Sequence, residues 1–146
     1  MQAALAAAGE AAVRGEIPVG AIVSINNKIV ATASNRTEEL KDATAHAEIL
    51  AIREASAKVQ NWRLEDAILC VTLEPCTMCA GAIRNARIGT VIYGASDPER
   101  GALGSLYDIG HEARLGPSPR IIEGIMSQEC TSILDSFFKR LRLKET

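Results

Sequence analysis

The chain has 146 residues, 47% of them hydrophobic and 23% charged, with a formal net charge of −2. That apolar content suits one globular domain over residues 1–146, and the charge balance leaves no global basic field to attract nucleic acid. Four cysteines are too few for a disulfide framework, and the apolar start is too short for a membrane span and has no basic leader, so a reducing, cytoplasmic setting is expected.

In chain order, the run Gln2-Ala3-Ala4-Leu5-Ala6-Ala7-Ala8 predicts a helix ended by Gly15. Val19 to Ile25 and Lys28 to Ala33 read as strands, and the turn Asn26-Asn27 between them makes a hairpin. After a loop, a helix opened by His46, with Thr44 near its cap, runs to about Val59 and turns Ala47, Ile49, Leu50, Ile52 and Ala55 inward. A buried strand around Ile68 to Thr72 leads into a helix ending near Asn85, with Pro75 suited to its first turn. Next come a strand Thr90 to Gly94, a glycine-rich loop from Ala95 to Pro119 and a strand near Ile121 and Ile122. A helix from about Gln128 to Arg142 closes the chain, with Ile133, Leu134, Phe137 and Leu141 packed inward. A hairpin followed by alternating strands and helices implies an α/β fold, three-layer α/β/α around a central mixed five-stranded sheet.

Two short stretches carry the chemistry. His46-Ala47-Glu48 and Pro75-Cys76-Thr77-Met78-Cys79 supply an imidazole, two thiols and a carboxylate in a chain with only two histidines. One imidazole and two thiolates make three zinc ligands, one short of a closed structural shell, which leaves a position for solvent. Cys76 and Cys79 are one helical turn apart at a strand-to-helix junction, where the helix dipole favours thiolates. His46 and Glu48, two residues apart, serve the same ion only if it lies beyond the end of their helix. Zinc with two thiolates is formally neutral, so a nearby base is useful, and Glu48 is the candidate proton shuttle. Cys70 and Cys130 fall in a strand and a helix and read as core residues. Alone, the Cys-x-x-Cys is equally a redox dithiol or half of a structural zinc knuckle.

Beyond these ligands, Ile17-Pro18-Val19-Gly20-Ala21, Ser34-Asn35-Arg36, Asp42 to Glu48, Leu73-Glu74-Pro75-Cys76, Gly81-Ala82-Ile83, Gly101 to Leu106 and Phe137-Phe138 resemble the pattern of bacterial-type tRNA-specific adenosine deaminases, in the cytidine-deaminase-like superfamily. The match is one of recognition, since H-x-E with P-C-x-x-C is the known signature of zinc deaminases. The resemblance implies one Zn2+ per subunit held by His46, Cys76 and Cys79, with Glu48 catalytic, and conversion of the wobble adenosine (position 34) of a tRNA anticodon stem-loop to inosine. It also implies a homodimer. By the same likeness Asn35 faces the target base, Ala47, Glu74 and Pro75 help to hold base or solvent, and Asp97 contacts the sugar of a neighbouring nucleotide. Phe138, Arg140 and Arg142 become candidate RNA contacts.

Read without that likeness, Asn35 and Asp97-Pro98 are turn residues. The basic end, Lys139, Arg140, Arg142 and Lys144 against Glu145, is then the solvated face of an amphipathic helix. His111 reads as a surface histidine. With one Trp, two Tyr and two Phe there are few stacking platforms, so recognition of a single flipped loop nucleotide by shape and polar contacts is the expected mode. Two departures from the family pattern stand out: the chain begins inside the first helix, and Glu112 to Pro119 does not resemble the histidine-rich loop of some members. A guanine, free-nucleoside or cytidine deaminase with the same metal chemistry is the alternative enzyme, and a noncatalytic zinc-stabilised partner subunit, which has no need of Glu48, is the alternative from another class.

Overall fold

The structure, a computed structural model, describes residues Met1–Thr146. Its elements are α1 (Gln2–Val13), β1 (Gly20–Ile25), β2 (Lys28–Ser34), α2 (Thr37–Leu40), α3 (Ala47–Val59), β3 (Ala67–Leu73), α4 (Thr77–Asn85), β4 (Thr90–Ala95), a 3-10 turn at Ala113–Leu115, β5 (Arg120–Ile122) and α5 (Ser127–Lys144). The five strands form one sheet in the order β2-β1-β3-β4-β5. β1 is antiparallel to both neighbours, whereas β3, β4 and β5 pair in parallel. Four strands therefore point the same way and only β1 opposes them, so the carboxyl ends of β2, β3 and β4 open onto one edge, the usual place for a ligand in an open α/β sheet.

Local sequence explains the hairpin. Ile25 pairs with Lys28, and Asn26 and Asn27 have φ of 52° and 62°, the left-handed pair that a type I′ turn demands and asparagine tolerates. Val23 opposes Ala31 while Ser24 opposes Ile29, so Val30 is the extra residue of a bulge.

Side chains alternate between the two faces, as the two-residue period of a strand requires. Ala21, Val23, Leu69, Val71, Val91 and Tyr93 join Ala47, Ala51 and Ala55 of α3 and Ala80 and Ile83 of α4 in the main core. Ile22 and Cys70 face the other way, onto Ala4 of α1, and α5 packs beside α1 over β4. These are the expected three layers. The buried stripe of α3 differs from its sequence reading: Ala47, Ala51 and Ala55 are buried, while Ile49, Leu50 and Ile52 are half-buried at its flanks. Small side chains at a four-residue spacing let the helix lie close to the sheet. α1 does the same with Ala4, Ala7, Ala8 and Ala11. A Cβ on Gly20 of β1 would collide with the backbone of Ala4 and Ala8, so glycine is required there.

α1 ends in a Schellman motif. Gly15 has φ 82°, its N–H donates to Ala12 O at 3.1 Å, and Glu16 N–H donates to Ala11 O at 2.9 Å. The motif delivers Glu16 to the ligand edge, where it is only 1% exposed. Two sequence expectations are corrected. The loop after β2 contains the short helix α2, and Leu141 is 43% exposed because it lies in the shallow groove between α1 and α5 beside Val13. Cys70 and Cys130 are free and buried.

Candidate active site

Two helix starts converge at the carboxyl edge of the sheet. His46 is the N-cap of α3, with φ −74° and ψ 152°, and Cys76 is the N-cap of α4, with φ −75° and ψ 179°. Their carbonyls accept the first intrahelical bonds, from Leu50 N at 3.1 Å and Ala80 N at 2.8 Å, but neither side chain caps its helix. Both therefore project past the helix ends. Thr44 is not the cap, because its hydroxyl and N–H both donate to Asp42 Oδ1, at 2.7 and 2.8 Å. Pro75 sits one residue before the cap and not in the first turn, since an extended Cys76 is needed to aim its sulfur outward.

Nδ1 of His46 lies 3.6 Å from Sγ of Cys76 and 3.5 Å from Sγ of Cys79. The ligand atoms of the three residues all fall within 4.8 Å of one another, with no fourth His, Cys, Asp or Glu in the group. Zn–S bonds of about 2.3 Å and Zn–N bonds of about 2.0–2.1 Å at a tetrahedral angle give an N···S edge of about 3.6 Å. The donor set fits a three-ligand zinc centre.

Charge supports the same use. A hydrogen bond from the Cys79 thiol, reinforced by His46, draws Cys76 down to about 3 against the opposing effect of burial. Cys79 is pushed up because it donates that bond and is buried beside Glu48. His46 is raised, chiefly by its hydrogen bond to Cys76. The pair thus holds Cys76 as a thiolate beside the imidazole, and loading of a dication requires the Cys79 proton to leave.

Glu48 stands in the first turn of α3 and is 4% exposed. Burial raises its carboxyl above the ordinary range, opposed by its own backbone N–H, Cys79 and His46. Together with His46, Ala47, Cys76, Asn35 and Glu74 it lines a cavity of about 520 Å³. Asp97 and Phe138 reach the same cavity. Asn35, Glu74 and Asp97 follow β2, β3 and β4 at the same edge. Pro75 is buried behind the wall. Arg140 instead lines surface grooves against α1, and Arg142 is exposed in the last turn of α5.

Several polar groups are already engaged within the protein. Glu74 accepts from the N–H groups of Asp97, Leu103 and Ser105 at 3.2, 3.1 and 3.1 Å, and from the Ser105 hydroxyl. A Cβ on Gly101 would strike its carboxylate. Asp97 Oδ1 accepts from the N–H groups of Glu99 and Arg100 at 3.1 and 3.2 Å, an Asx turn. Sequence reasoning missed Ile17, Ser96 and Arg100 and, on α5, Thr131, Leu134 and Asp135. The α5 residues, with Phe138, follow an i, i+3, i+4, i+7 stripe that was visible in the sequence, although nothing local showed that the stripe faced a cavity.

The sheet order and the trio of ligand atoms at two helix starts define a cytidine-deaminase-like fold with a deaminase-type centre. A family model for MafB19-like deaminases matches residues 1–142. A tRNA-specific adenosine deaminase of Bacillus subtilis is 42% identical over 145 residues, 99% of this chain and 90% of that protein. A solved structure from work on A-to-I editing by tRNA:A34 deaminases superposes with a TM-score of 0.89 at 43% identity, over 92% of this chain and 97% of that one. A guanine deaminase of Bacillus subtilis superposes less fully, with a TM-score of 0.62 at 39% identity over 65% of this chain and 61% of that one. The chain belongs to the MafB19-like deaminase family and groups within it with the tRNA-specific adenosine deaminases.

Proposed function

We propose that this enzyme hydrolyses the wobble adenosine, position 34, of a tRNA anticodon to inosine, with one Zn2+ per subunit at His46, Cys76 and Cys79. The observation that carries the reading is the buried Glu48 carboxyl beside that trio on the wall of a cavity large enough for one base. The near full-length likeness to tRNA-specific adenosine deaminases names the substrate.

Zinc held by His46, Cys76 and Cys79 would supply Lewis-acid polarisation of a solvent molecule. The chain's own groups do the rest. Glu48, as the carboxylate, takes a proton from water as that water adds to C6 of the purine, and as the acid returns it to the leaving amine, so water is consumed and ammonia released. The Ala47 and Pro75 region closes the pocket floor, Asn35 contacts the base, and Asp97 contacts the neighbouring sugar. Glu74 acts from the cavity wall by holding the Asp97 to Ser105 loop. Phe138 at the cavity, and Arg140 and Arg142 exposed on α5, are the RNA contacts of this reading. A homodimer in the cytoplasm belongs to the same proposal. The four free thiols suit a reducing compartment, and no helix is long and apolar enough to cross a membrane.

The test is inosine formation on an anticodon stem-loop carrying adenosine at the wobble position, run beside free adenosine, guanine and cytidine. Turnover of the stem-loop alone is expected. Turnover of guanine or of a free nucleoside in its place rejects the substrate.

A further inference from the structure

The turn that leads into α5 is tied to β4 at two points, both on Tyr93. Past the end of β5, Glu123 Oε2 accepts from the Tyr93 hydroxyl at 2.9 Å, and Ile125 N–H donates to Tyr93 O at 3.2 Å. The chain around these bonds reverses through Gly124 at φ 78° and Met126 at φ 54°. One residue along β4, a Cβ on Gly94 would strike Cys130 in the first turn of α5, so glycine there lets the helix seat directly on the strand.

The N-cap of α5 is Met126, which makes no side-chain cap bond, so the helix start is not fastened in the usual way. Tyr93 supplies the anchor from outside the helix. Its side chain is part of the main core and the residue is 1% exposed, so it cannot follow a moving loop. Burial, and then the bond to Glu123, push its phenol up, which keeps the hydroxyl a donor. Glu123 is exposed and is held in place by that bond.

The far side of α5 shows what the anchor controls. Thr131, Leu134, Asp135 and Phe138 line the cavity shared with His46 and Glu48. Phe138 lies about 18 Å along the helix axis from Met126, so a swing of about 3° at the entry moves that side chain by about 1 Å. A displacement of that size is enough to misplace a bound substrate.

We infer that Tyr93 and Glu123 are positioning residues whose hydrogen bond sets the angle at which α5 enters, and so holds the α5 wall of the cavity against the substrate. The inference rests on the deaminase reading above and deepens it. Neither residue lines the cavity. The metal trio and Glu48 stand at the starts of α3 and α4, which the tie does not reach, so it acts on substrate binding and not on the chemical step.

The test measures kcat and KM on the wobble-adenosine stem-loop for wild type, Tyr93→Phe, Glu123→Ala, Glu123→Gln and the double variant Tyr93→Phe/Glu123→Ala. Zinc content, thermal midpoint and hydrogen exchange are recorded for each. Tyr93→Phe leaves the exposed Glu123 to water, so the midpoint should hardly move, whereas KM should rise about three- to tenfold with kcat near wild type. The amides of Ile125 and of the first turn of α5 should exchange faster. Glu123→Gln keeps an acceptor oxygen and should stay near wild type, and the double variant should raise KM no further than Tyr93→Phe. An unchanged KM for Tyr93→Phe, a KM that rises only in step with lost stability, or a Glu123→Gln variant as impaired as Glu123→Ala overturns the inference and leaves the pair a contact of the fold. If Tyr93→Phe does not fold, Glu123→Ala, at an exposed side chain, is read the same way. If the wild type acts on a free base and not on RNA, the substrate reading fails separately, and the same split between KM and kcat is measured with that base.

Discussion

Nδ1 of His46 and Sγ of Cys79 stand 3.5 Å apart across 33 residues of chain. The two atoms meet because β2 and β3 both run antiparallel to β1, which brings the segments that follow them, and hence the starts of α3 and α4, to one edge of the sheet. Metal removal should therefore be read in the thiols. With zinc bound, all four cysteines should react slowly with a disulfide reagent, because burial also pushes the Cys70 and Cys130 thiols up, toward the unreactive protonated form. Chelation should release Cys76, the half-buried thiolate of the pair, as the fast class. Faster reaction of Cys70 or Cys130 contradicts the assignment.

Glu48→Gln should separate catalysis from structure. It keeps the shape of a buried acid while removing the proton shuttle, so kcat is expected to fall by about 10²–10⁴-fold with zinc stoichiometry and thermal midpoint retained. A noncatalytic partner subunit predicts unchanged function, and activity assays paired with metal analysis distinguish the two.

Glu74→Ala should loosen the rim of the cavity. The variant strands the amides of Asp97, Leu103 and Ser105, at a cost of about 1–3 kcal/mol for each amide that water cannot reach. Urea denaturation measures the loss, and hydrogen exchange should show faster exchange at Leu103 and Ser105. Gly101→Ala, whose added methyl meets the same carboxylate, should act in the same direction.

Arg84→Lys should be far from neutral. The guanidinium of this residue, 6% exposed, donates to the carbonyls of Ile109, Gly110 and Gly116 at 3.0, 2.8 and 2.9 Å, and ties α4 to the loop that leads into β5. An ammonium cannot reproduce the fork. A loss of about 2 kcal/mol is expected in denaturant titrations, with Arg84→Met no less destabilised.

Arg142→Ala and Arg140→Ala should weaken RNA binding without touching chemistry. KM for the stem-loop should rise, kcat should stay near wild type, and the salt dependence of binding should flatten by about one counterion for each phosphate that the variant no longer neutralises. An unchanged KM assigns these residues to a solvated helix face.

What the sequence disclosed and what it hid divide along local and non-local lines. The Asn26-Asn27 turn, the strand-helix alternation and the His-x-Glu and Cys-x-x-Cys half-sites are local patterns, and their chemistry is written in residue type and spacing. The seats of His46 and Cys76 at the N-caps were harder to read, because a residue there is defined by an extended backbone and not by its identity. Alanine stripes misled the reading of α3, since weak hydrophobicity hides a face buried by close approach. The bonds of Glu16 to the α2 loop, Glu74 to the β4 loop and Arg84 to three carbonyls join segments distant in the chain, and nothing in their neighbours announced them.

X-ray absorption at the zinc edge of the reduced, purified protein tests the central claim most directly. One zinc per chain with two sulfurs and two lighter atoms, one of them from an imidazole, is the predicted shell. A protein without zinc, or zinc with a third sulfur, contradicts it.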